Sequence, residues 1–183
     1  MATITTTKIT ADEFLKMDLG EGLHELVKGE IVVMPPPGPR HGFVCANTGE
    51  MVQDFGRTTG HGHAMSNDSV VVIDGENVRG ADIQYFSEAR WPSSQVGDDP
   101  PPVPPDLVVE VRSPTDRLPH VLNKVADYLR AGVPVVLLLQ PKRRTVALYR
   151  DNDDDPIVLD ESDVVENLPE LPGFQCIVGE FFG

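Results

Sequence analysis

The sequence predicts an α/β (α+β) fold: a mixed β-sheet flanked by helices. Three observations carry this. Short apolar runs rich in Val, Ile and Leu, at Ser69–Ile73, Leu107–Val111 and Val133–Leu139, have strand length and are bounded by turn residues. The segment from Leu118 to Gly132 instead carries its apolar residues at helical spacing. The two patterns also interleave along the chain as helix, hairpin, helix, strands, helix, strands, which is the order of a layered sheet-and-helix domain. With 183 residues the expectation is one domain spanning 1–183.

Thr10-Ala11-Asp12-Glu13 forms a capping box and predicts a short helix over about 10–18, ended by Gly20 and Gly22. His24 to Met34 predicts a hairpin turning at Lys28-Gly29. Pro35 to Pro39 is a stiff extended connector. A helix is expected over 40–57, weakened by Gly42 and Gly49. Strands follow over 60–73 and 79–86, joined by a turn at Asp74-Gly75-Glu76-Asn77. Ser87 to Pro105 is a long Pro-rich loop.

Leu107–Val111 is a short buried strand. Leu107, Val109 and Val111 face one side, and Asp106, Val108, Glu110 and Arg112 the other. Pro119 suits the first turn of the next helix, and Val121, Leu122, Val125, Tyr128 and Leu129 form its stripe. Arg130 and Gly132 mark its end. Two further strands, Val133–Leu139 and Arg144–Tyr149, form a hairpin through Pro141-Lys142-Arg143.

The net charge is −14, from 29 acidic and 15 basic residues, which disfavours tight non-specific nucleic-acid binding. The charge is uneven. Residues 151–170 hold nine acids and no Lys or Arg, and are expected to be a solvated loop. Arg112, Arg117, Lys124 and Arg130 gather near the Glu110 strand, so a local basic site is compatible with an acidic protein. Cys45 and Cys176 have no metal-ligand spacing and are expected to be free thiols. The start, Met1 to Lys8, shows no signal-type apolar region, and no apolar run reaches membrane-spanning length. The expectation is a soluble cytoplasmic protein.

A carboxylate inside so apolar a strand is costly to bury unless neutralised, which makes Glu110 a candidate site residue. Asp82 lies on the preceding strand. If the two strands are neighbours, the carboxylates meet, and such a pair favours a divalent cation, a shared proton or a basic partner. Magnesium suits hard oxygen donors of this kind. The basic partner is either Arg112, two residues beyond Glu110 on the strand, or Lys124, at the border of the helix stripe. Plainer roles compete: Asp82 as a strand-end cap, Glu110 as a structural ion pair with Arg112 or Arg130, and Lys124 as a solvated helix lysine. His41 is expected at a helix end rather than in chemistry. His61-Gly62-His63 could hold zinc, but no third ligand is near in sequence.

Several motifs together resemble the Uma-two family of restriction-type endonucleases in the PD-(D/E)XK superfamily. They are Glu25-Leu26-Val27-x-Gly29-Glu30, Pro39-Arg40-His41-Gly42, Ala81-Asp82-Ile83, Pro105 to Glu110 with Val111-x-Ser113-Pro114, Lys124-x-x-x-Tyr128, Ala131 to Pro134, Arg144-Thr145-Val146 with Tyr149, and Leu171 to Phe174. The resemblance runs from about residue 8 to 182. It implies a restriction-endonuclease-like core and a magnesium-dependent phosphodiesterase site, with manganese as a substitute. It further implies Asp82 and Glu110 as metal ligands, Glu25 as an additional acid and Lys124 as the catalytic lysine, carried on the helix rather than the strand. Ala81 departs from the proline of the superfamily name. Arg112 stands in the usual lysine slot, where it can stabilise charge but cannot act as a base.

The function so implied is metal-dependent cleavage of DNA, or less readily of RNA; because cutting two strands commonly takes a pair of subunits, and open sheet edges can supply the contact, a homodimer is expected. Two other readings stay open: a catalytically silent interaction protein that keeps the fold, and a hydrolase acting on a small phosphorylated compound. Sequence specificity and pathway are not legible.

Overall fold

The computed structural model describes residues 8–151 and 153–183. The N-terminal reading over residues 1–7 lies outside them.

Helix α1 (Ala11–Phe14) carries the full capping box, with Glu13 N–H donating to Thr10 Oγ1 and Thr10 N–H to the Glu13 carboxylate. It is one turn long, shorter than 10–18: Ala11 and Phe14 are buried, Leu15 and Leu19 pack beside them from outside the helix, and Met17 is exposed. Strands β1 (Leu23–Val27) and β2 (Glu30–Met34) form the expected hairpin. Lys28 and Gly29 both take positive φ, 53° and 77°, as a two-residue primed turn requires.

Helix α2 (Pro39–Thr59) is longer than 40–57 and tolerates its glycines. Gly56 is the exception that matters: a Cβ there would collide with the Gly62 carbonyl, so glycine lets the helix lie close on the sheet. Strands β3 (Gly62–Asp74) and β4 (Asn77–Ser87) form a long hairpin. Its register shifts between Ser66 and Ser69, and Asn67 and Asp68 bulge there with φ of 70° and 52°.

Beyond β4 the Pro-rich loop holds a single 3₁₀ turn at Ser93–Gln95 and is fastened by Asp106. The Asp106 carboxylate accepts from Ser87 N–H at 2.7 Å and pairs with Arg90 at 2.7 Å. Strand β5 (Leu107–Val111), helix α3 (Leu118–Arg130) and strand β6 (Val135–Gln140) make a parallel crossover. Strand β7 (Thr145–Tyr149) returns antiparallel and is followed by β8 (Ile157–Leu159). The main sheet runs β2-β1-β4-β5-β6-β7-β8, with β3 also on β4.

The acidic stretch is more ordered than a solvated loop. It contributes β8 and β9 (Val164–Val165), which pairs with β10 (Cys176–Ile177), and helix α4 (Val178–Phe182) follows. Arg150 grips Glu170 with two hydrogen bonds at 2.6 and 2.9 Å, and Leu168 and Leu171 enter the core.

The β5 alternation sorts the two layers as expected. Leu107, Val109 and Val111 pack with Val44 and Val52 of α2 and with Leu171, Phe181 and Phe182. Val108 faces the other way, with Val125 and Tyr128 of α3. Glu110 shares the Val108 parity and so looks toward α3. Leu122, placed in the α3 stripe from sequence, is exposed. No described helix is long and apolar enough to cross a membrane.

Candidate active site

Strands β4 and β5 pair antiparallel through Ile83–Val109, Gln84–Val108 and Tyr85–Leu107. One step further the ladder stops. There the Val111 N–H donates to the Asp82 carboxylate, Oδ2, at 2.6 Å instead of to a backbone carbonyl. The strands part where Asp82 and Glu110 stand, and both line one cleft of about 570 Å³.

Four of the five residues picked from sequence meet in this cleft. Glu25 comes from β1, Asp82 from β4, Glu110 from β5 and Lys124 from α3. Lys124 Nζ lies 2.9 Å from Glu110 Oε2, 3.3 Å from Glu25 Oε1 and 2.9 Å from the Gly80 carbonyl oxygen. Arg112 is the one left out. It follows the last residue of β5, and its guanidinium donates to the Asp116 carbonyl, 3.3 Å away. The turn at Ser113–Asp116 draws it from the sheet face that Glu110 occupies.

Sequence reasoning passed over several residues that complete the arrangement. The Tyr128 hydroxyl, read as part of the apolar stripe, lies 2.7 Å from Glu110 Oε1 and 3.1 Å from the Gly80 carbonyl, and its one proton serves either acceptor. His41, expected at a helix end, is there, but its Nε2 is 3.2 Å from Asp82 Oδ1. Asp68 enters the cleft from the β3 bulge. Arg79 donates from Nη1 to Glu25 at 2.8 Å and from Nε to the buried Asp127 at 2.8 Å. The Lys124/Tyr128 spacing of four was the available signal for Tyr128. Nothing local marks Arg79 or Asp68.

Burial and charge set the protonation states. Burial pushes the Glu110 carboxyl up to about 7; Lys124 pulls it down and Asp82 adds to the rise. Burial alone would lower Lys124, but Glu110, Glu25 and Asp82 overcome it and hold the ammonium above its ordinary range. Lys124 is therefore a fixed cation and not a base. His41 is raised on balance: burial opposes its charge, and Asp82 more than compensates. Burial and Asp82 raise Asp68.

Glu25, Asp68, Asp82 and Glu110 thus face Lys124 and His41, while Arg79 is shared with Asp127. The surplus is negative, and the oxygens of Asp82 and Glu110 are hard donors. A divalent ion of the magnesium type fits this donor set. The His61–His63 pair is used otherwise: His61 stacks on Tyr85, with Nδ1 2.8 Å from its hydroxyl, and His63 packs against Phe86 and Trp91. Both cysteines are free.

A mixed sheet with helices on both faces, and an acid pair with a lysine where two strands part, is a nuclease-type architecture. The chain belongs to the Uma2 family, described as "Putative restriction endonuclease", whose model matches residues 11–179. This is the Uma-two family of the sequence resemblance, and it places the chain among restriction-type nucleases. A search of curated proteins finds no match. Among solved structures, a "putative nuclease belonging to DUF820" from Anabaena variabilis is similar with a TM-score of 0.83 and 22% identity, over 95% of this chain and 97% of that one. That likeness shows a shared fold.

Proposed function

We infer that the protein hydrolyses phosphodiester bonds in DNA with magnesium held by Asp82 and Glu110. The carrying observation is the meeting of Glu25, Asp82, Glu110 and Lys124 at the point where β4 and β5 separate. A magnesium ion there would act as a Lewis acid on water and on the scissile phosphate. Asp82 is held for such a ligand by the Val111 N–H, and Glu110 by Tyr128. Lys124, kept charged by its carboxylate neighbours, supplies the positive group beside the developing phosphoryl charge. Glu25 aligns Lys124 from one side and is itself held by Arg79.

The test is cleavage of plasmid DNA with magnesium or manganese. Asp82→Asn and Glu110→Gln are expected to lose at least a hundredfold, and Lys124→Ala roughly a hundredfold. Arg112→Ala is expected to stay within threefold of the parent. Equal cleavage by all of these proteins would discard the assignment.

The cleft volume also suits a small phosphorylated compound, since small-molecule sites run about 300–1,000 Å³. Turnover of a small phosphodiester with plasmid left intact would favour that reading. For DNA, cutting both strands calls for two sites, and β2, an edge strand with exposed Val32 and Val33, supports a homodimer. Sedimentation showing only monomer at micromolar concentration would remove the dimer.

A further inference from the structure

The acid cluster has a neighbour of different chemistry. His41 and Cys45 are four residues apart on α2 and so share one face of the helix. That face turns toward Asp82, and the three side chains bring a ligand atom each to within 4.8 Å of one another. His41 Nε2 lies 3.2 Å from Asp82 Oδ1 and 3.9 Å from Cys45 Sγ. Around a tetrahedral zinc, nitrogen and oxygen ligands sit roughly 3.3 Å apart and sulfur and nitrogen roughly 3.6 Å apart. The Nε2–Oδ1 separation is close to that value; Cys45 Sγ stands nearer Nδ1, at 3.4 Å, and has to turn toward Nε2 to share an ion with Asp82.

We propose that His41, Cys45 and Asp82 form a binding site for one borderline transition-metal ion of the zinc class, which takes Asp82 away from magnesium and so switches the cleft off. The donor set makes the distinction. A thiolate and an imidazole are soft or borderline ligands that zinc accepts and magnesium does not. Asp82 is the only shared ligand, so the two ions compete for it. On binding, the Cys45 thiol proton and the Nε2 proton that His41 directs at Asp82 pass to solvent, and the thiolate sulfur and the freed imidazole nitrogen bond the metal. Burial first, and then the field of Asp82, Asp68 and Glu110, holds the thiol proton; that field also favours a dication. Three protein ligands leave a fourth position for water. The metal site stands independently of the nuclease reading; only the switching rests on it.

Cobalt(II) is the probe, added to the metal-free full-length protein. The expected result is a near-ultraviolet thiolate-to-cobalt charge-transfer band, saturating at one equivalent and bleached by zinc. Cys45→Ser abolishes the band, Cys176→Ser keeps it, and His41→Gln weakens cobalt binding at least tenfold. Absence of the band in the parent, or its survival in Cys45→Ser, overturns the site. In magnesium-supported cleavage, zinc inhibits the parent, and Cys45→Ser raises the half-inhibiting zinc concentration at least tenfold. Equal inhibition of both proteins overturns the switch. A normal cobalt band in a protein that cuts nothing with magnesium would uphold the metal site and remove the nuclease reading.

Discussion

Glu110 shows what a single buried acid contributes. Its carboxyl titrates near 7 in the folded chain, against 4.5 ordinarily, chiefly because it is buried. The folded state therefore holds that proton more tightly than the unfolded state. Stability from this group is full below about pH 4.5 and falls as pH rises toward about 7, by a few kcal/mol. Glu110→Gln is expected to flatten this part of the stability curve, measured by urea unfolding in a metal chelator. An undiminished fall in the Gln variant would remove Glu110 as its source. Arg79 acts in the opposite sense, as the cation between Glu25 and Asp127. Arg79→Met takes the shared cation from two buried carboxylates, leaving Glu25 with Lys124 and Asp127 with the exposed Arg130, and about 2–3 kcal/mol of destabilisation is expected by the same unfolding measurement. Glu110 was legible in the sequence because a charge interrupts an apolar strand. Asp127 was not, because its buried partner Arg79 lies 48 positions away, while the i,i+3 pair with Arg130 reads as an ordinary exposed helix pair.

Among the elements, β5 and α3 were readable because their periodicities differ and each is bounded by Pro or Gly. Helix α1 was overestimated because a cap fixes where a helix starts and leaves its length open. The acidic tract misled for a related reason. Charge describes its exposed side chains, while Val165, Leu168 and Leu171 between them join the core. The α2–β3 contact depends on a missing side chain. Gly56→Ala presses a methyl group against the Gly62 carbonyl and the Tyr85 ring, and about 2–3 kcal/mol of lost stability is expected in urea unfolding. Gly42→Ala, on the same helix with open space around it, is the control and should be neutral or slightly stabilising.

Over the whole molecule, the site draws on β1, β3, β4, β5, α2 and α3, so it exists only when the sheet is assembled. Magnesium binding is therefore expected to raise the melting temperature of the parent and not of an Asp82→Asn, Glu110→Gln double variant, with calorimetry as the check. An equal rise in both proteins would place the ion elsewhere. The global charge of −14 argued against nucleic acid from the sequence alone. Local pairs such as Arg144 with Glu161 and Arg150 with Glu170 leave that total unchanged, so strong salt dependence is expected of any binding to DNA.

The β3 bulge has a consequence for how such a protein could be retired. Asn67 and Asp68 together stand opposite a single step of β4, so one of them is surplus to the ladder. Losing the Asp68 codon would let the hairpin zip evenly, with Asn67 opposite Asp82, and would take an acid out of the cleft with the sheet still intact. A change of length is thus a second route, beside substitution, by which this chain could keep its fold and lose part of the cleft.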